Sequence, residues 1–143
     1  MTTATRLEIL ERSVEKANVW INDVAAELQT GDRHEAYRVL RGFLHVLRDR
    51  LPVEESAQLA AQLPLLVRGV FYEGWQPART PLHYRDRREF LDRVAHEALL
   101  HGETEAAFAV AGAARVLARH VSAGEMEDVL RTLPEELRSL IAG

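Results

Sequence analysis

The feature that most limits what this chain can fold into is its likeness to itself. Displaced by 70 residues, the sequence aligns on itself without a gap: residues 20–70 lie over residues 90–140, and twelve of the 51 pairs are identical. The identities are Val24/Val94, Ala25/Ala95, Glu27/Glu97, Glu35/Glu105, Ala36/Ala106, Gly42/Gly112, Val46/Val116, Leu47/Leu117, Glu55/Glu125, Leu63/Leu133, Pro64/Pro134 and Arg68/Arg138. Trp20/Phe90, Ile21/Leu91, Leu40/Val110, Leu51/Val121 and Leu59/Val129 keep apolar character. Similarity at a fixed displacement points to a tandem duplication. The matched Gly and Pro weigh most, because both constrain what the backbone can do.

Each copy reads as helices. Leu10, Val14, Ala17, Ile21, Val24 and Leu28 recur every three or four residues, one apolar stripe on a long helix that Gly31 is placed to end. Asp32 can cap a second helix, whose stripe is Tyr37, Leu40, Leu44, Leu47 and Leu51. Pro52 and Pro64 then bracket a short third helix and start a short fourth one through Leu66, Val67, Val70 and Phe71. In the second copy Phe90, Leu91, Val94 and Ala98 lead to Gly102, and Ala107, Val110, Ala114, Leu117 and Val121 form the next stripe. Ser122 and Glu125 have capping-box spacing, and Pro134 precedes a last helix. No segment alternates as a strand would. The expected fold is all-α: two similar helical units, 1–71 and 90–143, packed with pseudo-two-fold symmetry. Gly42 and Gly112 lie inside the second helix of each copy, where Gly costs about 0.5–1 kcal/mol relative to Ala. A helix crossing closely at that point is the expected compensation.

Residues 72–89 join the copies. Residues 71–89 hold Phe71, Tyr72, Trp75 and Tyr84 together with Gly74, Pro77 and Pro81. Flexible linkers are poor in aromatic residues, so this connector is expected to be ordered. Two readings stand for it: a belt joining the halves, or an interaction surface formed by Tyr72 and Trp75.

Motifs for chemistry are scarce. The chain has no cysteine, which removes thiol nucleophiles, disulfides and cysteine-based metal sites. His96 and His101 are five residues apart, about 140° around a helix, and cannot hold one metal ion as a pair four apart would. Ser122 lacks the setting of a nucleophile elbow and is better read as a cap. No phosphate-binding glycine loop is present. No metal, cofactor or catalytic residue is assigned, and the reading leans away from an enzyme. No uncharged stretch reaches the roughly 18 residues of a membrane-spanning helix. The residues from Met1 to Glu8 carry charge where a signal peptide needs an apolar run, so a cytoplasmic protein is expected.

One constellation remains. His34, Arg38, Arg41, His45 and Arg48 share one face of the second helix, whereas the second copy has Thr104, Phe108, Ala111, Arg115 and Ala118. Forked guanidinium donors suit phosphate or carboxylate. The stripe is therefore the candidate anion site, set against internal pairing with acidic residues or a charged protein interface. Basic residues number 18 against 22 acidic, a net charge of −4, which disfavours a general nucleic-acid binder.

The phrases Leu47-Arg-Asp-Arg-Leu51-Pro-Val-Glu-Glu55, Ala61-Gln-Leu-Pro-Leu-Leu-Val-Arg68-Gly and Phe71-Tyr-Glu-Gly-Trp75 carry a resemblance to a known family. So do Phe90-Leu-Asp-Arg-Val94, Ser122-Ala-Gly-Glu125 and Leu133-Pro-Glu-Glu-Leu137. From about residue 15 onward the chain resembles the bacterial domain-of-unknown-function family 2267, with Phe71 standing where the family phrase has Tyr. The resemblance implies a small all-helical protein without an assigned activity, cofactor or catalytic residue. The expected function is a non-enzymatic interaction or adaptor module, with a protein partner or a second copy. The alternative is binding of an anionic ligand or nucleic acid through the arginine stripe.

Overall fold

Eight α-helices form in chain order in a computed structural model, which describes residues 6–143. The N-terminal reading above falls partly on residues 1–5, outside the described residues. The helices are α1 (Glu8–Leu28), α2 (Arg33–Arg50), α3 (Val53–Ala60), α4 (Leu65–Tyr72), α5 (Arg87–Ala98), α6 (Glu103–His120), α7 (Ala123–Arg131) and α8 (Glu135–Ala142). A single 3₁₀ turn, Pro77–Arg79, interrupts the connector. No strand occurs among the described residues. None of the described helices is long and apolar enough to cross a membrane.

Helix starts follow the local chemistry. The Asp32 carboxylate accepts from the His34 and Glu35 amides at the head of α2, and Asp86 does the same for Glu89 on α5. Pro52, Pro64 and Pro134 occupy the caps of α3, α4 and α8. Two expectations need correction. α1 ends on Gln29 in the left-handed region (φ 57°), not on Gly31, and α5 ends likewise on Leu99 (φ 58°). In both, the N–H groups just past the end close back onto the last carbonyls, as with Gln29 to Ala26 and Thr30 to Ala25, and this offsets the strain of a side chain there. The capping box at α7 is half made. Ser122 Oγ accepts from the Glu125 amide, but the Ser122 N–H donates to Gln62 Oε1 at 2.8 Å, which leaves the Glu125 side chain to point elsewhere.

Four long helices build the core. α2 packs on α5 and α1 on α6, while α1 with α2 and α5 with α6 form the two local pairs. Phe43 of α2 meets Phe90 of α5 edge to face at 6.4 Å, amid fully buried Leu44, Leu47, Leu91 and Leu117. The glycines sit where close crossings were expected. A Cβ on Gly42 would lie 3.2 Å from Glu97 Cβ, and one on Gly112 would lie 3.1 Å from Glu27 Cβ. The crossings are reciprocal: α2 of the first half against α5 of the second, and α6 of the second against α1 of the first.

The apolar stripe of α1 is only half used. Val24 is buried and Ala17, Ile21 and Leu28 are half-buried against the core, yet Leu10 and Val14 stay 53% and 51% exposed. The reason is length. α5, the helix at the matching place in the second half, begins only at Arg87, so the first turns of α1 run past the bundle. Tyr37 and Leu66, read as core-facing, are also exposed.

Candidate functional site

The arginine stripe on α2 does not form a row of free cations. Arg48 and His45 are buried, Arg38 and Arg41 half-buried, and His34 exposed. The Arg48 guanidinium donates from Nη1 to the backbone carbonyls of Phe71 and Glu73, both at 2.8 Å, and from Nε to Asp49 at 2.8 Å. Arg41 reaches Glu73 at 2.9 Å and Glu97 at 3.7 Å, and these carboxylates hold its pKa above the ordinary value, the Glu73 hydrogen bond foremost. Arg38 Nε points at the Ala98 carbonyl, at the end of α5, from 3.4 Å. His45 Nε2 lies 2.6 Å from the Val70 carbonyl. A carbonyl can only accept, so Nε2 carries the proton and Nδ1 faces Glu97 at 3.5 Å. Burial pushes the His45 pKa below its ordinary 6.5, partly offset by the Val70 bond, and the ring is neutral at pH 7.

Beside the stripe lies a cleft of about 520 Å³ between α2, α5 and the connector. Arg41, His45 and Arg48 line it from one side, Arg93, His96 and Glu97 from the other, with Glu73 and Asp49 at its edge. Among the described residues no hydroxyl or thiol faces it. The acids here (Asp49, Glu73, Asp92, Glu97) match the cations in number closely, so the cleft is polar without a strong net field. His101 lies outside it, and the His96–His101 pair is not brought together there. Glu97 and Glu73 were not singled out in the sequence; the Glu27/Glu97 identity was the available signal for the first.

The connector is held down by α2. Besides the Arg48 bonds, the Leu82 amide donates to the Asp49 carbonyl at 2.8 Å, and Arg50 Nε donates to the Tyr84 carbonyl at 2.7 Å. Arg50 and Arg93 both lie over the Tyr84 ring, 5.7 and 5.2 Å from its centre. Burial pushes the Tyr84 phenol up, and its hydroxyl has no partner among the described residues. Tyr72 and Trp75 stack on each other at 5.2 Å, each half-buried, with the indole N–H buried and unpaired.

A second polar cluster lies between α3 and α7. Glu55, Glu125 and Asp128 each bring a carboxylate oxygen within 4.8 Å of the others. Glu125 is 6% exposed, and burial together with Glu55 pushes its carboxyl up to about 8.

No curated protein matches the chain. The profile of an uncharacterized conserved protein family, DUF2267, matches residues 17–140. That span takes in the connector and most of both helical units, with the cleft and the carboxylate cluster but without the first turns of α1, and the chain therefore belongs to this family.

Proposed function

We propose that the protein is a non-enzymatic interaction module whose contact surface is the N-terminal half of α1, and that its partner there is a second copy of the chain. The carrying observation is the apolar row Leu7, Leu10 and Val14, which is 57%, 53% and 51% exposed; Leu7 caps α1 and the other two lie on its first turns, while the far end of the helix is core. The row is rimmed by the ion pairs Arg12–Glu8 and Arg6–Glu11, the pattern of an interaction patch. Its alternating steps of three and four residues suit a helix-to-helix seam. The row is also self-complementary: an antiparallel two-fold pairing sets Leu10 of each copy against Val14 of the other, so one surface serves both subunits. α4, which packs on α1, also exposes Leu65 and Leu66.

Sedimentation velocity tests the reading. The wild type should sediment as a dimer at micromolar concentration, and Leu10→Asp with Val14→Asp should sediment as a monomer of unchanged helicity. A wild type that stays monomeric across that range overturns it. Trp75→Ala should leave the dimer intact, because Trp75 lies in the connector after α4 and not on α1. Anion or nucleic-acid binding through the stripe has less support, since Arg41 and Arg48 already have acidic and carbonyl partners. Binding of an oligonucleotide at low salt that His34→Ala with Arg38→Ala abolishes would restore it.

A further inference from the structure

We propose that Glu55, Glu125 and Asp128 bind a hard divalent cation that clamps α3 to α7. Glu125 and Asp128 stand one turn apart on α7 and share a face, and Glu55 meets them from α3. One oxygen from each lies within 4.8 Å of the other two, a spread that a single ion can span at carboxylate–metal distances of roughly 2.0–2.6 Å. The second observation is the state of the buried oxygens. Glu125 is more than nine-tenths buried, and its Oε2 accepts no hydrogen bond from the described residues; Glu55 Oε2 is likewise buried and without a partner among them. Buried carboxylate oxygens normally have donors, and here the Ser122–Glu125 box that could have supplied one is broken by Gln62. Among the described residues the one basic side chain paired in the cluster is Arg131, on Asp128 at 2.9 Å, which leaves the two glutamates facing each other. Three oxygen donors with no histidine or sulfur select Mg²⁺, Ca²⁺ or Mn²⁺ over zinc or copper.

Mn²⁺ serves as the probe, with free ion counted by electron paramagnetic resonance in chelator-washed full-length protein. One saturable site per chain is expected, displaced by Mg²⁺ or Ca²⁺, with binding about tenfold or more weaker in Glu125→Gln. Asp128→Asn, at a partly exposed position, gives the same reading should Glu125→Gln fail to fold. The absence of a saturable site up to millimolar Mn²⁺ overturns the proposal, and so does binding that neither substitution weakens. A Glu125→Gln protein that is more stable than wild type with no Mn²⁺ site in either would show that a proton, not a metal ion, joins the two glutamates.

Discussion

The two close helix crossings use matched residues and end in different surroundings. At the first, Gly42 admits Glu97 and Ala98 of α5; at the second, Gly112 admits Glu27 and Leu28 of α1. Each therefore sets a glutamate beside the helix that carries the glycine. Glu97 faces Arg41 and His45, whereas Glu27 binds Arg115 at 2.7 Å and Arg119 on an open surface. The Arg115 hydrogen bond holds Glu27 below the usual carboxylate range. Around the first crossing the connector folds back and walls a cleft, because α2 carries Arg48 and Arg50 to grip it. The matching positions on α6 are Ala118 and His120, and His120 instead stacks on Trp20 at 4.6 Å. The difference shows that one backbone device can serve either as plain packing or as one side of a cleft, depending on two side chains near the helix end.

The largest break in this comparison should come from Arg48→Leu. It leaves the Phe71 and Glu73 carbonyls without their donor and should cost about 3 kcal/mol in urea unfolding, while Ala118→Leu on α6 changes little. Next are Gly42→Leu and Gly112→Leu, each forcing two helices apart for about 1–3 kcal/mol. Similar losses for both would show the crossings to be mechanically equivalent; a larger loss at Gly42 would show that the connector stops the helices from moving apart.

A pH series sharpens the contrast further. His45 has a folded pKa below 6.5, so its neutral form belongs to the native state. That stability is complete above the ordinary value and is lost as pH falls through the folded one. Below about pH 6.5 the melting temperature of the wild type should therefore fall relative to that of His45→Gln, a difference in which the raised Glu125 carboxyl, common to both, cancels. Arg115→Gln at the other crossing should leave the slope alone. The smallest effect is expected from Glu27→Gln, under about 1 kcal/mol, because its arginines are exposed.

Much of this architecture is legible in the sequence. Apolar spacing marks the helices, and the paired glycines mark the crossings before any partner is known. The stripe on α2 was legible as a face but not as a grip, because Arg48 binds backbone carbonyls, which no side-chain pattern advertises. Leu10 and Val14 continue the same stripe as Val24. Periodicity reports which way a residue points, and not whether another helix is long enough to reach it. The Glu55–Glu125 meeting left one trace, an identical pair in the alignment of the halves. Its chemistry depended on Gln62 taking the Ser122 amide, a long-range event.

The reciprocal crossings also bear on how the chain is made. Synthesis runs from the N-terminus, so α2 leaves the ribosome before Glu97 and Ala98 exist to cover Gly42, and α1 must wait for Gly112. Contacts so distant along the chain close late. A nascent chain halted near residue 71 should hold loosely paired helices that proteases cut readily, with protection arriving only after α6 has emerged. Pulse proteolysis of stalled chains would record that moment.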